Sequence, residues 1–182
     1  MDKNIEDKLY TYDWFDFHSF YDMIAQKSFT TFVEVGVWKG HSVSYLADKL
    51  RGRKDDVKIF AVDLFDETYR WTEEGLEELR SEVPYVYEVY NAILDKVDVR
   101  DMITDIKSLS WEAADQFENK SVDFVFIDAD HAYESVKKDI QAWLPKIKKG
   151  GILAGHDFFS NCGVRPAVTE LLGSVVSNSE TN

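Results

Sequence analysis

Short apolar runs alternate with amphipathic segments along this sequence, and that alternation restricts the fold more than any other feature. The clearest run is "VDFVFIDA", almost continuously apolar, as expected for a strand buried on both faces of a parallel sheet. Further strands are predicted in "TFVEVG", "KIFAVDLF", "MITDIK" and "GGILAGHDF". Strands that alternate with helices indicate a parallel sheet with right-handed crossovers. The predicted fold class is therefore α/β, a Rossmann-like, doubly wound, mainly parallel sheet.

Helices are predicted between these strands, in "HSVSYLADKLRG", "TEEGLEELRSE", "VPYVYEVYNAILDK", "WEAADQF", "YESVKKDIQAWL" and "VRPAVTELLG". The segment "VPYVYEVYNAILDK" is ambiguous, because its first half alternates like a strand. We interpret it as a helix that starts after Pro84, since its apolar side chains then share one face. Those side chains are Val86, Val89, Tyr90, Ile93 and Leu94. In "YESVKKDIQAWL" the same reasoning places Val136, Ile140, Trp143 and Leu144 on one face.

The chain is predicted to form a single domain over residues 1–182, because no repeat, low-complexity tract or linker divides it. Residues 1–29 form an N-terminal helical segment in this interpretation. Its stretch "YDWFDFHSFYDMIAQKS" places Trp14, Phe17, Tyr21 and Ile24 near one helical face. These aromatic residues serve either as packing or as a lid over a substrate.

Charge and cysteine content narrow the classes of partner and compartment. The chain has 21 Lys plus Arg against 34 Asp plus Glu, a formal net charge of -13, which disfavours binding to nucleic acid or to an anionic membrane. Cys162 is the only cysteine, so an internal disulfide is excluded. No secretory signal and no apolar run long enough to span a bilayer is present in the sequence. We therefore expect a cytoplasmic protein.

Acidic residues stand at the ends of four predicted strands, where ligands bind in open parallel sheets. In chain order these ends carry Glu34, Asp63, Asp128 with Asp130, and His156 with Asp157. Like charges at such a rim destabilise the fold unless a cation or hydroxyl donors accompany them. The pattern predicts a ligand site at this edge of the sheet.

The loop after the first strand indicates the kind of ligand. "EVGVWKGHS" spaces Gly36 and Gly40 as G-x-x-x-G between a strand and a helix, which lets backbone approach a ligand closely. Trp38 replaces the second glycine of a dinucleotide fingerprint, and Glu34 would repel a pyrophosphate. Asp63 suits the two hydroxyls of a ribose, which NAD and S-adenosylmethionine share. Glu34 favours the ligand with an ammonium and a sulfonium.

The sequence resembles class I S-adenosylmethionine-dependent methyltransferases, in particular a group of small-molecule and sugar O-methyltransferases. The resemblance rests on "EVGVWKGHS", "AVDLF", "VDFVFIDADHAYESVKKDIQAWLPKIKKGGILAGHDF" and "GVRPAV", and it covers about residues 31 to 170. The long central motif is its specific part.

The resemblance implies a set of cofactor contacts. It assigns Glu34 and the glycine loop to the methionine part of S-adenosylmethionine and Asp63 to the ribose. It places Ser110 and Trp111 beside the adenine, although Trp111 is equally compatible with a core position. The full implied set is Glu34, Gly36, Gly40, Ser42, Asp63, Leu64, Ser110, Trp111 and Asp128.

The related O-methyltransferases also carry an Asp-x-Asp after the fourth strand and an acidic pair after the fifth. Mapped here, Asp128 and Asp157 would bind a divalent metal, Mg²⁺ or Mn²⁺, and Asp130 would be the general base. His156 stands where the first acid of the pair is found, as a metal ligand, as the base, or as a partner of Asp157. His131 is a further candidate base, or else a residue near a helix N-terminus that bonds backbone.

The expected function is transfer of a methyl group from S-adenosylmethionine to a hydroxyl of a small polar molecule such as a sugar. Aromatic residues near the rim would form the acceptor pocket: Phe65, Tyr69, Trp71, Phe158 and Phe159. One alternative is a nicotinamide-dependent oxidoreductase, which Trp38 and Glu34 disfavour. Another is a non-catalytic binding protein that retains the fold.

The C-terminal end of the sequence departs from the resemblance. The full fold has two further strands after the helix in "VRPAVTELLG", and "SVVSNSETN" is long enough for one short strand only. We expect a sheet that is shortened at the C-terminus or completed by a second subunit. An uncovered edge favours a homodimer.

Overall fold

The computed structural model describes residues 3–11, 13–65, 82–160 and 162–173, and these form an α/β domain around one sheet. Its five strands are β1 Thr31–Val35, β2 Lys58–Asp63, β3 Ile103–Lys107, β4 Val122–Ile127 and β5 Ile147–Gly155. Their order is β3-β2-β1-β4-β5, and every neighbouring pair is parallel. The order reverses between β1 and β4, as in a doubly wound sheet. The predicted fold class is confirmed.

Seven helices flank the sheet in the described residues: α1 Lys3–Lys8, α2 His18–Ala25, α3 His41–Leu50, α4 Val86–Val97, α5 Ser110–Ala113, α6 Tyr133–Trp143 and α7 Val164–Leu172. Short 3₁₀ turns occupy Val83–Tyr85, Arg100–Met102, Ala114–Gln116 and Leu144–Lys146. Residues 72–81 and 174–182, on which a predicted helix and a predicted short strand fall, lie outside the described residues. None of the described helices is long and apolar enough to cross a membrane.

The strand register brings the ends of β1, β2, β4 and β5, where the acidic residues stand, to one edge. Val35, near the end of β1, is paired with Val62 of β2 and with Ile127 of β4. Ile127 is in turn paired with Gly155 of β5. The residues that follow these positions therefore emerge side by side, as sequence reasoning expected.

The two faces of the sheet are covered by different helices, because alternate strand residues point to opposite sides. One face packs Phe32 and Phe124 against a cluster that includes Tyr21 and Ile24 of α2, both fully buried. The other face packs its valines around Trp143 of α6. Helix α2 is thus part of the hydrophobic core, and a lid in the N-terminal segment would have to lie before it.

Two sequence predictions about helices were wrong in detail. Helix α2 starts at His18, and Trp14 lies before it in a segment without regular secondary structure, where it is 48% exposed. The carboxylate of Asp13 accepts a hydrogen bond from the Phe15 N–H at 3.1 Å, a local turn that competes with helix. Leu144 is 45% exposed, because α6 ends at Trp143 and the 3₁₀ turn with Pro145 follows.

The helical interpretation of "VPYVYEVYNAILDK" is confirmed. A 3₁₀ turn that contains Pro84 leads into α4, and the predicted apolar face of α4 is buried. Its buried residues are Val86, Val89, Tyr90, Ile93 and Leu94.

Candidate functional site

The loop between β1 and α3, residues 36–40, can form only because glycine stands at both of its ends. Gly36 and Gly40 both have φ of +81°, in the left-handed region that other residues rarely adopt. A Cβ on Gly36 would lie 2.0 Å from the carbonyl oxygen of Asp128, and one on Gly40 would lie 2.6 Å from the Tyr90 ring. This segment, which we call the glycine loop, therefore packs directly against the end of β4.

Glu34 lies beneath the glycine loop and is 3% exposed. The Tyr21 hydroxyl donates a hydrogen bond to its Oε2 at 2.7 Å, and the Ser42 hydroxyl donates to its Oε1. Burial raises the pKa of Glu34 from 4.5 to about 7, against the opposing effect of these two hydrogen bonds. Ser42 and Glu34, both predicted cofactor contacts, are thus bonded to each other.

Asp63, at the end of β2, holds the glycine loop in place. Its Oδ2 accepts hydrogen bonds from the N–H groups of Val37 at 3.0 Å and Trp38 at 3.2 Å. Its Oδ1 accepts from the Phe65 N–H at 2.9 Å, across the half-buried Leu64. Burial raises the pKa of the Asp63 carboxyl, while the backbone hydrogen bonds lower it.

The residues predicted to flank an adenine, Ser110 and Trp111, start helix α5. The Ser110 hydroxyl is buried and accepts a hydrogen bond from Nε1 of Trp143 at 3.0 Å. The Trp111 ring is half-buried and has the Lys138 ammonium 4.6 Å from its centroid. Adenine contact stays a prediction for both; in the structure Ser110 bonds α6 and Trp111 contacts a lysine of α6.

A pocket lies between the chain that precedes α2 and the glycine loop. It is lined by Asp13, Trp14, Phe15, Phe17, Gly36, Val37, Trp38, Lys39, Gly40, His41, Ser42 and Asp128. The Trp14 and Trp38 rings stack in its wall with centroids 5.5 Å apart. The pocket thus joins the predicted cofactor residues of β1 to the first acid after β4.

Asp128, His131 and Asp157 come together at the ends of β4 and β5. Nε2 of His131 lies 3.3 Å from Oδ1 of Asp128 and 3.4 Å from Oδ2 of Asp157. One ligand atom from each of the three lies within 4.8 Å of the others, and all three side chains are half-buried. Two carboxylates and an imidazole are a donor set that suits Mg²⁺ or Mn²⁺. The predicted ligands Asp128 and Asp157 are thus close together, with His131 as the third member.

His156 lies beside this group and contacts two acids. Its Nδ1 is 3.2 Å from Oδ2 of Asp157, and its Nε2 is 3.3 Å from Oδ1 of Asp16. The bond to Asp157 raises the pKa of His156 to about 9, and the charge of Asp128 adds to this effect. As an imidazolium it has no free lone pair for a metal or a proton. Its roles as metal ligand or base stay predictions. Either role requires His156 to lose the proton that makes it an imidazolium.

Asp130 is exposed and points toward the start of α6. Its Oδ1 accepts from the Ala132 N–H at 3.1 Å and its Oδ2 from the Ser135 hydroxyl at 2.6 Å. These bonds resemble those of a helix N-cap. Its role as general base stays a prediction, and these bonds occupy two of the roughly four lone-pair sites of the carboxylate.

The predicted acceptor aromatics are found in different environments. Phe65 is 4% exposed and packs against the rings of Tyr87 and Tyr90, so it belongs to the core. Phe158 and Phe159 contact each other edge to face, and Phe159 is 66% exposed. Tyr69 and Trp71 lie outside the described residues.

Sequence reasoning missed Lys39 and Glu82, which form an ion pair of 2.7 Å next to the glycine loop. Both are buried, with 0% and 4% of their surfaces exposed. They are 43 residues apart, and neither residue belongs to a periodic pattern. The one available signal was a lysine placed between two glycines of a loop that ought to be tightly packed.

These features define an α/β protein with a nucleoside-cofactor type of site: a glycine loop after β1, an acid after β2 and an acidic group after β4 and β5. A family model described as a methyltransferase domain matches residues 33–158. The chain belongs to this methyltransferase domain family.

Solved structures with the same fold include three that cover most of this chain. The O-methyltransferase NovP has a TM-score of 0.63 at 19% identity and covers 84% of this chain and 69% of its own. CalS11, a TDP-rhamnose 3'-O-methyltransferase of calicheamicin biosynthesis, gives 0.61 at 17% identity over 91% and 74%. Cofactor-bound Rv0187 from MTB gives 0.62 at 18% identity over 86% and 65%. At these identities the likeness concerns the fold.

A curated relative, the uncharacterized protein y4gI of Sinorhizobium fredii (strain NBRC 101917 / NGR234), is 39% identical over 46 residues. The match covers 25% of this chain, and the chain spans only 5% of that relative's length.

Proposed function

We propose that this protein is an S-adenosylmethionine-dependent O-methyltransferase that acts on a hydroxyl of a small polar molecule such as a sugar. The observation that carries the proposal is the meeting of Asp128, His131 and Asp157 beside the glycine-loop pocket in a chain of the methyltransferase domain family. A charged, half-buried group at that position suits the activation of a hydroxyl.

The residues around the pocket fit the cofactor. Asp63 ends β2 beside the glycine loop, the position expected for a ribose, and Asp128 lines the pocket and supplies negative charge on the side where an ammonium and a sulfonium would lie. The glycine loop lines the pocket along its whole length, from Gly36 to Gly40. When bound, S-adenosylmethionine supplies an electrophilic methyl group. Trp38, in place of the second glycine of a dinucleotide fingerprint, makes the same loop unsuitable for a pyrophosphate, which disfavours the nicotinamide alternative.

The acceptor's proton is assigned to His131. A neutral alcohol is a poor nucleophile, and a positioned base is worth about 10² to 10⁴ in rate. In neutral His131 the proton on Nε2 is directed to Asp128 and Asp157, so Nδ1 is the proton acceptor, and the two carboxylates orient the ring and stabilise the imidazolium that forms. Asp130 and His156 are the other candidates, and both are engaged in the hydrogen bonds described above.

In a second arrangement, Asp128, His131 and Asp157 would instead hold a divalent cation, Mg²⁺ or Mn²⁺; it excludes the first, because a metal-bound Nε2 carries no proton. When bound, such an ion lowers the pKa of a coordinated hydroxyl. Titration with Mn²⁺, followed by electron paramagnetic resonance, tests this without turnover. Binding that is lost in Asp157→Asn supports the metal site, and activity unchanged by chelation would leave His131 with the role of base alone.

The class of acceptor is inferred from solved structures that share the fold and from the net charge of the chain. CalS11 acts on TDP-rhamnose and NovP is an O-methyltransferase, and both share this fold. The net charge of -13 disfavours a polyanionic acceptor such as nucleic acid. Hydroxyl groups of a small polar molecule are the substrate class that these features support together.

The decisive test is isothermal titration of the purified protein with S-adenosylmethionine, with NAD⁺ in parallel. Micromolar binding of S-adenosylmethionine alone would support the cofactor, and an acceptor screen with and without Mg²⁺ would follow. Binding of NAD⁺ alone would overturn the proposal in favour of an oxidoreductase. No heat with either ligand would favour a non-catalytic protein that retains the fold.

A further inference from the structure

The ammonium of Lys39 is buried at the centre of a hydrogen-bond network outside the proposed catalytic group. Its Nζ donates to the carbonyl oxygens of Lys8 at 3.0 Å and Thr11 at 2.6 Å, and to the Thr11 hydroxyl at 2.9 Å. Lys39 itself belongs to the glycine loop and is fully buried. One side chain thus ties the loop to the N-terminal part of the chain.

Glu82 completes this network from the start of the α4 region. Its Oε2 lies 2.7 Å from Nζ of Lys39 and accepts from the Thr11 hydroxyl at 3.0 Å. Its Oε1 lies 2.6 Å from Nζ of Lys8. A buried ammonium is stable only when it is paired and hydrogen-bonded, so these partners fix the position of Lys39 closely.

The network supports Trp38, the neighbour of Lys39 in the pocket wall. Trp38 has a φ of +48°, a conformation that a bulky residue keeps only when its surroundings hold it. Its ring stacks on Trp14, with an interplanar angle of 23°, and Nζ of Lys39 lies 5.8 Å from its centroid. The N–H of Trp38 donates to Asp63. Contacts with Lys39, Trp14 and Asp63 therefore hold Trp38 in place.

Residues 8–11 and 13–17, which we call the N-terminal strap, lie over the glycine loop as a result. Four residues of the strap line the pocket with Trp38: Asp13, Trp14, Phe15 and Phe17. The carbonyls that bind Lys39 belong to the other end of the same strap. The N-terminal strap thus contributes residues both to the pocket wall and to the Lys39 network.

We propose that Lys39 is a positioning residue for cofactor binding: it holds the N-terminal strap over the glycine loop and thereby keeps Trp38 and Trp14 in the pocket wall. The inference rests on the proposed S-adenosylmethionine site, although Lys39 acts there through its neighbours. A strap that is already ordered need not be ordered again on binding, which raises affinity. Without the Lys39 network, part of the binding free energy of the ligand would be used to order the strap, and affinity would fall.

The test compares Lys39→Met with the wild type in three measurements. Hydrogen exchange of the N-terminal strap should become about tenfold faster or more, while exchange of β4 stays unchanged. The near-ultraviolet circular dichroism of the stacked Trp14–Trp38 pair should decrease. Affinity for S-adenosylmethionine by titration should fall about 10- to 100-fold, the range of typical coupling between sites.

Lys49→Met is the matched control, since it removes a lysine of α3 whose partner Asp22 lies on α2 at 2.8 Å. Both of those side chains are about 40% exposed, so strap exchange and cofactor affinity should remain at wild-type values. Should Lys39→Met fail to fold, the double variant Lys39→Met/Glu82→Gln removes both charges together and serves in its place.

A folded variant with wild-type strap exchange and wild-type affinity would overturn the inference. So would a loss of affinity with an unchanged strap, because Lys39 would then act by another route. If the wild type itself binds no S-adenosylmethionine, the proposed function fails, and the role of Lys39 in cofactor binding falls with it. The wild-type titration therefore separates the two failures.

Discussion

The two halves of the strand-end rim use their acids in opposite ways. On the β1–β2 side, Glu34 and Asp63 bond to groups of the protein itself: two hydroxyls and three backbone N–H groups. On the β4–β5 side, Asp128 and Asp157 face the imidazole of His131 and remain half-buried. The first half builds the shape of the pocket, and the second half leaves charged atoms for a ligand.

This difference shows that acids at equivalent strand ends have different structural environments. Their pKa values follow the same division. Burial raises the pKa of Glu34 and of Asp63, whereas the hydrogen bond from His156 lowers the pKa of Asp157. Substitutions on the first half should therefore alter folding and loop geometry, and substitutions on the second half should alter chemistry.

The largest expected effect is on the second half, in His131→Gln. Loss of the proposed proton acceptor should lower kcat by about 10² to 10⁴ while cofactor affinity by titration stays within about twofold. His18→Gln, an exposed histidine of α2, is the control and should keep full activity. Full activity in His131→Gln would remove the assignment and return the role to Asp130 or His156.

On the first half, Asp63→Ala should lose about 3 to 5 kcal/mol of stability, because three backbone N–H groups lose a charged acceptor. Cofactor affinity should fall at the same time, since the glycine loop loses its anchor. Urea denaturation and titration measure the two quantities separately. A stable variant without affinity would show that Asp63 contacts the ligand only, and the division between the two halves would not hold.

The sequence was sufficient for the sheet and for the edge at which the acid-bearing strand ends meet. Near-continuous apolar runs identify buried strands, and parallel strands place their carboxyl ends at one edge, so Asp63, Asp128 and Asp157 could be assigned together. Which histidine joins the acids could not be predicted. His131 is positioned by a distant contact, in which the Gly163 N–H donates to its carbonyl oxygen at 3.0 Å. Asp157 adopts a φ of +58°.

The N-terminal segment shows a second reason why the sequence did not predict all of the structure. Its aromatic residues fit a helical period, but Asp13 forms a local turn that delays the helix to His18. Trp14 then reaches Trp38 instead of the core. A buried pair such as Lys39 with Glu82 depends on residues far apart in the sequence, and no local pattern encodes it.

A smaller expected effect is the pH dependence of stability that arises from Glu34, on the first half of the rim. Glu34 has a folded-state pKa of about 7 against 4.5 for the free side chain, so the folded protein holds its proton more tightly. That stabilisation is present below pH 4.5 and is lost as pH rises through about 7, a change of about 3 kcal/mol. Glu34→Gln keeps the position neutral, and the Tyr21 and Ser42 hydroxyls can still bond it.

Urea denaturation at pH 5 and pH 8 measures this difference. The variant should gain stability relative to the wild type mainly at pH 8, so that the difference between the two proteins grows with pH. Comparing the proteins with each other cancels other titrating groups such as His156. An equal difference at both pH values would contradict the assignment of a buried, protonated Glu34.

The smallest expected effect concerns Phe159, which is 66% exposed beyond the end of β5. Because little of its surface is removed from water, Phe159→Ala should change stability by no more than about 0.5 kcal/mol. If Phe159 contacts the acceptor, the KM for the acceptor should rise about 3- to 10-fold at constant kcat, as expected for loss of uniform binding. An unchanged KM would place the acceptor elsewhere on the rim, and a change in kcat would extend the catalytic half of the rim to the surface after β5.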